Sequence, residues 1–141
     1  MSETYVYHPD IPESCPLDGA EPVGTIYRSV QSFPPLAADF ESDVEANKPN
    51  AKRGNCKHWG CSVWQDLQSV EHARKVYDTF RTSYIVVGDL QPSAGQVLPT
   101  PSKAQPGHAT FWKVHGLDVS SHFRKLLDPI LPQQDDPLGP M

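Results

Sequence analysis

Prolines leave this chain few places to build regular structure. There are 15 of them in 141 residues, and they cluster. Pro9, Pro12, Pro16 and Pro22 mark the first stretch, Pro34-Pro35 forms a stop, and Pro92, Pro99, Pro101 and Pro106 crowd one long segment. Pro129, Pro132, Pro137 and Pro140 close the chain. Each proline fixes φ and removes a backbone donor, so helices and interior strands must fit between them. The expected organisation is an irregular acidic leader over 1–22, one α+β domain over 23–127, and a Pro-rich disordered tail over 128–141.

The gaps between prolines carry readable periodicity. Thr4–Tyr7 is a candidate short strand in the leader. Gly24–Val30 reads as the first firm strand, ended by Pro34-Pro35. Leu36–Glu45 reads as a short helix with Phe40 and Val44 on one face, and Asn47–Asn55 as a polar loop. Trp59–Trp64 reads as a second strand. Asp66 then caps a helix whose apolar positions are Leu67, Val70, Ala73, Val76, Tyr77 and Phe80, with Arg74, Lys75 and Asp78 opposite. Tyr84–Gly88 is nearly all apolar, the mark of a central strand. Residues 91–107 form a long loop, interrupted by a brief strand at Gln96–Leu98. His108–His115 is a further strand, and Asp118 caps a last helix through Leu127. The expected fold is a single small α+β domain, with a mixed or mainly antiparallel sheet and two to three packed helices.

The net charge of −5 is unevenly spread. Residues 1–22 hold five acids and 128–141 three, with no Lys or Arg in either. The body between them has nine acids against twelve bases, a mildly basic surface that permits a polyanionic ligand. No apolar run approaches the ~18 residues a membrane helix needs. The N-terminus lacks the basic-then-apolar pattern of a secretory signal, so a cytoplasmic protein is expected. Three cysteines, Cys15, Cys56 and Cys61, cannot all pair within one chain, and reduced thiols fit that compartment.

Four features carry possible chemistry. Arg28 is in phase with Ile26 and Val30, and a guanidinium on an apolar face either grips phosphate or carboxylate, joins an internal ion pair, or lies on the exposed side. Gly60-Cys61-Ser62 combines a residue that permits close backbone approach with a hydroxyl that can bond a ligand. Ser62 has no base beside it in sequence. Cys56, His58 and Cys61 offer three zinc-type donors at a spacing matching neither Cys-x2-Cys nor a finger. Cys61 reads better as a small core residue, and zinc is not expected. His108, Thr110 and Trp112 share one face of a strand: a proton carrier, a hydroxyl and a stacking indole. The alternative is a core face with a satisfied histidine. No phosphate loop, dinucleotide fingerprint or kinase signature is present.

The ordered series Tyr27-Arg28, Asp39-Phe40-x-Ser42, Gly60-x-Ser62-Val63 with the helix after it, and His108-x-Thr110-x-Trp112 resembles a family of small uncharacterised bacterial proteins over about residues 24–115. Cys61 stands where that family usually carries Leu, which implies packing. The order Arg28, Ser62, His108 along three strands is also similar to ADP-ribosyltransferase and tRNA 2′-phosphotransferase-like folds. It departs from them in lacking a Ser-Thr-Ser triplet and a late catalytic Glu. That likeness implies a nucleotide-binding domain, with NAD or RNA as ligand. Arg28 would hold phosphate, Ser62 ribose or amide, His108 and Thr110 the reacting group, and Tyr27, Gly60 and Trp112 would line the ligand. The alternative is a non-catalytic module that binds a protein partner in a toxin–antitoxin, phage-defence or effector setting.

Overall fold

The computed structural model describes residues 5–130. Its centre is a seven-stranded sheet, antiparallel at every junction. The strands are β1 (Glu21–Pro22), β2 (Thr25–Val30), β3 (Cys61–Trp64), β4 (Tyr84–Asp89), β5 (Gly95–Pro99), β6 (His108–Lys113) and β7 (Phe123–Leu127). Their spatial order is β1-β5-β6-β3-β2-β4-β7. Two helices join them, α1 (Leu67–Val76) and the single-turn α2 (Asp78–Arg81), so the chain is a small α+β protein dominated by sheet. Among the described residues no helix is long and apolar enough to cross a membrane.

Strand alternation sorts the core into layers. On one face Ile26, Val30, Cys61, Val63, Val86, Val97, Ala109 and Phe111 form the largest apolar cluster, joined by Phe123 of β7 and by Phe40 and Val119 from the connections. The other face carries two separate clusters. Trp64 and Ile85 lie under Val70 and Ala73 of α1. Trp112 lies with Trp59, Val44 and leader residues including Tyr7, Ile11 and Leu17. The leader is thus irregular but docked, and it enters the sheet at β1.

Four elements differ from the sequence reading. Thr4–Tyr7 forms no strand over Tyr5–Tyr7; Thr4 lies outside the described residues. Leu36–Glu45 is not a helix but a 3-10 turn, Ala37–Phe40, followed by a second turn. Ser42 and Glu45 cap each other there: Glu45 N donates to Ser42 Oγ at 3.1 Å and Ser42 N to Glu45 Oε1 at 3.0 Å. A fresh cap at Ser42 ends the first turn, and Phe40 and Val44 go to different clusters. Trp59 belongs to a 3-10 turn, Cys56–Trp59, so β3 begins only at Cys61. The predicted final helix is a 3-10 turn, Ser120–His122, and then strand β7. Asp118 is not its N-cap, which is Val119; it stands one residue earlier and accepts from Ser120 N at 2.9 Å. The open edge of β4 then captures 123–127, because Gly88 leaves room for the Phe123 ring; a Cβ there would fall 2.9 Å from it.

Helix α1 starts where expected, with Asp66 Oδ1 accepting from Ser69 N at 2.7 Å. Its buried contacts are Val70 and Ala73, while Leu67, Val76 and Tyr77 are exposed. Arg74, expected on the solvent side, reaches back to the main chain. It donates to the carbonyls of Phe80, Arg81, Ser83 and Asp128. Of the expected tail, 131–141 lies outside the described residues.

Cys15 and Cys56 form a disulfide, which overturns the expectation of three reduced thiols. It ties the leader to the turn that precedes β3. Cys61 is free and buried, and burial raises its thiol pKa, so it behaves as an apolar residue.

Candidate functional site

Strand β2 has unequal edges. Toward β4 it is paired along all six residues, from Thr25↔Asp89 to Val30↔Tyr84. Toward β3 the register contains one pair, Tyr27↔Trp64. Continuing that register would set Arg28 against Val63 and Ser29 against Ser62; instead the strands part. Arg28 bridges the gap with its side chain. Nη1 donates to Ser62 O at 2.5 Å and Nε to Asp39 O at 2.6 Å. Ser62 O thus gains a charged donor in place of a ladder N–H.

The gap opens into a cleft of about 290 Å³ lined by Arg28, Ser29, Cys61, Ser62, Trp64 and His108, with Phe80, Gln105, Asp43 and Lys48 around them. One wall is aromatic, with Trp64 and Phe80 edge to face at 5.0 Å. The Trp64 indole N–H donates to Gln105 Oε1 at 3.0 Å, fastening the 101–107 loop to the rim. Lys48 and Asp43 pair at 3.4 Å.

Within the cleft runs a chain of hydrogen bonds. Ser62 Oγ lies 2.9 Å from His108 Nε2. His108 Nδ1 faces Thr100 O at 3.1 Å and Thr100 Oγ1 at 2.9 Å. Thr100 Oγ1 lies 2.8 Å from Thr110 Oγ1. A carbonyl only accepts, so Nδ1 carries the imidazole proton and Nε2 accepts from the Ser62 hydroxyl. Burial holds the His108 pKa below its ordinary value. The Lys57 cation adds to that, and the Thr100 carbonyl partly opposes it. His108 is therefore neutral at pH 7, which leaves Nε2 free to take a proton. Ser62 is exposed, whereas Thr100 and Thr110 are buried behind the imidazole.

Antiparallel pairing explains the meeting. Ser62 opposes Thr110, and Trp64 opposes His108, so Ser62 and His108 are diagonal neighbours on one face. That face is the one with two apolar clusters, and the polar chain occupies the seam between them.

The expected site residues fall into three groups. Arg28, Ser62 and His108 line one cleft. Thr110 touches the site only through Thr100. The others lie elsewhere. Trp112, read as a stacking wall, is 0 % exposed, and its indole N–H donates to Cys56 O, so no ring face is open to a base. Tyr27 packs in the α1 cluster on the opposite face of β2 from Arg28. Gly60 does admit a close approach, but of β6: a Cβ there would lie 2.4 Å from Thr110 Cγ2. The candidate zinc donors are dispersed in role. Cys56 is in the disulfide, His58 Nδ1 accepts from Lys52 N at 2.8 Å, and Cys61 is core.

Thr100 is the member sequence reasoning missed. It sits between Pro99 and Pro101 in what reads as loop, yet Thr100 N donates to His108 O at 2.9 Å, continuing the β5–β6 pairing by one residue. Prolines on both sides favour the extended backbone this needs. That is the signal that would have placed Thr100 opposite His108.

Comparison of the chain with protein-family models, curated proteins and solved structures finds no match.

Proposed function

We propose that the cleft hydrolyses small esters, with Ser62 as nucleophile and His108 as general base. The observation that carries this reading is the 2.9 Å contact between Ser62 Oγ and His108 Nε2, on an imidazole whose other nitrogen is fixed by Thr100. Ser62 Oγ attacks the acyl carbon while its proton passes to Nε2. The tetrahedral intermediate expels the alcohol, which leaves with that proton. Water, deprotonated by the same nitrogen, then attacks the acyl-serine, releasing the acid and restoring the Ser62 hydroxyl. Thr100 holds the tautomer, the part a carboxylate takes in the familiar triad. A cleft of about 290 Å³ suits a short acyl group.

The test is turnover of short-chain 4-nitrophenyl esters by the wild-type protein, together with covalent labelling by a fluorophosphonate. Ser62→Ala is expected to abolish labelling, and Ser62→Ala and His108→Ala each to lower kcat/KM by about 10²–10⁴-fold. Melting temperatures should stay near the wild-type value, because Ser62 is exposed and His108 only half-buried. Undiminished turnover in Ser62→Ala would sink the reading.

A nucleotide-transferase reading, ADP-ribosyltransferase-like or RNA 2′-phosphotransferase-like, keeps one support: Arg28, Ser62 and His108 share the cleft. It lacks the stacking indole, since Trp112 is core. Incubation with NAD and with a 2′-phosphorylated RNA separates the two. Under the esterase reading neither is turned over.

A further inference from the structure

We propose that the cleft selects substrates bearing an anionic group, a carboxylate or a phosphate, which docks on Arg28 beside the Ser62 nucleophile. This rests on the esterase reading for the word substrate, and on independent observations for the anion.

The first observation concerns charge. Arg28 is half-buried, and among the described residues no carboxylate lies within ion-pair distance of it. Its neighbours are two carbonyls and the Phe40 ring, whose centroid is 6.0 Å from Cζ. Carbonyls orient a guanidinium without neutralising it, and a buried cation is costly until paired. Asp43, the carboxylate on the cleft wall, is already bridged to Lys48. Arg28 and Lys48 against Asp43, with His108 neutral, leave one net positive charge in the lining.

The second concerns geometry. A guanidinium has five N–H donors, and the two carbonyls take two. Those carbonyls lie on β3 and on the 3-10 turn after β2, so the group is held from both sides of the gap and pre-organised. Its anchor on Ser62 O places it next to the nucleophile's own backbone. Across the cleft, Trp64 and Phe80 supply an apolar wall for the hydrocarbon part. Charge, aromatic surface and a hydroxyl in one lining fit a short acyl ester with a charged end.

Contrast Arg74. It donates to the carbonyls of Phe80, Arg81, Ser83 and Asp128 and does not line the cleft. The structural arginine is engaged by four acceptors and Arg28 by two.

The experiment is calorimetric titration of succinate, inorganic phosphate and neutral dimethyl succinate into the wild-type protein, Ser62→Ala, Arg28→Gln and Arg124→Gln. Arg124→Gln removes an equal charge from the exposed end of the sheet. We expect at least one anion to bind wild type, Ser62→Ala and Arg124→Gln alike, more than tenfold tighter than dimethyl succinate, and Arg28→Gln to lose at least tenfold. Preference for succinate assigns a carboxylate, and preference for phosphate a phosphate. Equal binding by Arg28→Gln, or no advantage of either anion over dimethyl succinate in the wild type, overturns the proposal. If Arg28→Gln does not fold, the wild-type comparison decides alone. Binding does not require turnover, so an anion site that survives inactive chemistry separates this proposal from the esterase reading.

Discussion

The two edges of β2 show how one strand can serve both stability and a site. Its edge toward β4 is paired at every residue, and Ile26, Val30 and Val86 belong to one buried apolar cluster. Its edge toward β3 is paired once and then opens. At the closed edge backbone groups satisfy each other. At the open edge Ser62 O takes its donor from a side chain, and the space this leaves holds a hydroxyl, an imidazole and a guanidinium. A buried gap in a sheet must satisfy its polar groups by other means. Among the described residues no buried side-chain polar atom lacks a partner.

The comparison breaks if damage at the closed edge reaches the cleft. Ile26 is 0 % exposed, faces Gly88 across the ladder and lies outside the cleft lining. Ile26→Ala should reduce unfolding free energy by about 2–5 kcal/mol, as expected for a large core truncation. Denaturant titration measures it. The folded fraction should hydrolyse esters at the wild-type kcat/KM. A parallel loss of turnover per folded molecule would mean that the two edges form one mechanical unit.

Local chemistry was the legible part of the sequence. The cap at Asp66, the arrest at Pro34-Pro35 and the apolar run of β4 depend on neighbours within a few residues, and each stands in the structure. Residues 123–127 were not legible, because Phe123 and Leu126 suit a helix face as well as a strand. The decision came from Gly88, 35 positions away, whose missing side chain receives the Phe123 ring. The site divides in the same way. Arg28 stood out at an apolar phase, Ser62 as a hydroxyl beside Gly60, and His108 on a face with Thr110 and Trp112. That Ser62 meets His108 is set by the β3–β6 register, and Thr100's part by the β5–β6 pairing; neither pairing has a local signature. Trp112 shows the limit of alternation. It shares a face with His108 and Thr110, as read, but the leader covers its end of the strand, and the sequence does not say where the leader docks.

Thr100→Val sharpens the comparison with the smallest change. It keeps the shape and the carbonyl that fixes the tautomer, and removes only the hydroxyl between His108 and Thr110. Stability should fall by about 1 kcal/mol, the usual net worth of one hydrogen bond. The kinetic effect should be roughly tenfold on kcat, equivalent to about 1.4 kcal/mol, with KM little changed, because Thr100 orients the base without lining the cleft. The pH profile separates positioning from general damage. Under the proposed mechanism turnover needs neutral His108, whose pKa is held below the ordinary imidazole value of about 6.5, so the acid limb should lie below that pH. Losing a hydroxyl that accepts from Nδ1–H removes support for the imidazolium, so the variant's acid limb should move lower still. Stability follows the same sign. A histidine with a depressed folded-state pKa contributes stability in full above about pH 6.5, and that contribution is lost as pH falls through the folded-state value. An acid limb that stays in place, or moves up, would show that the Thr100 hydroxyl does not govern the proton on His108.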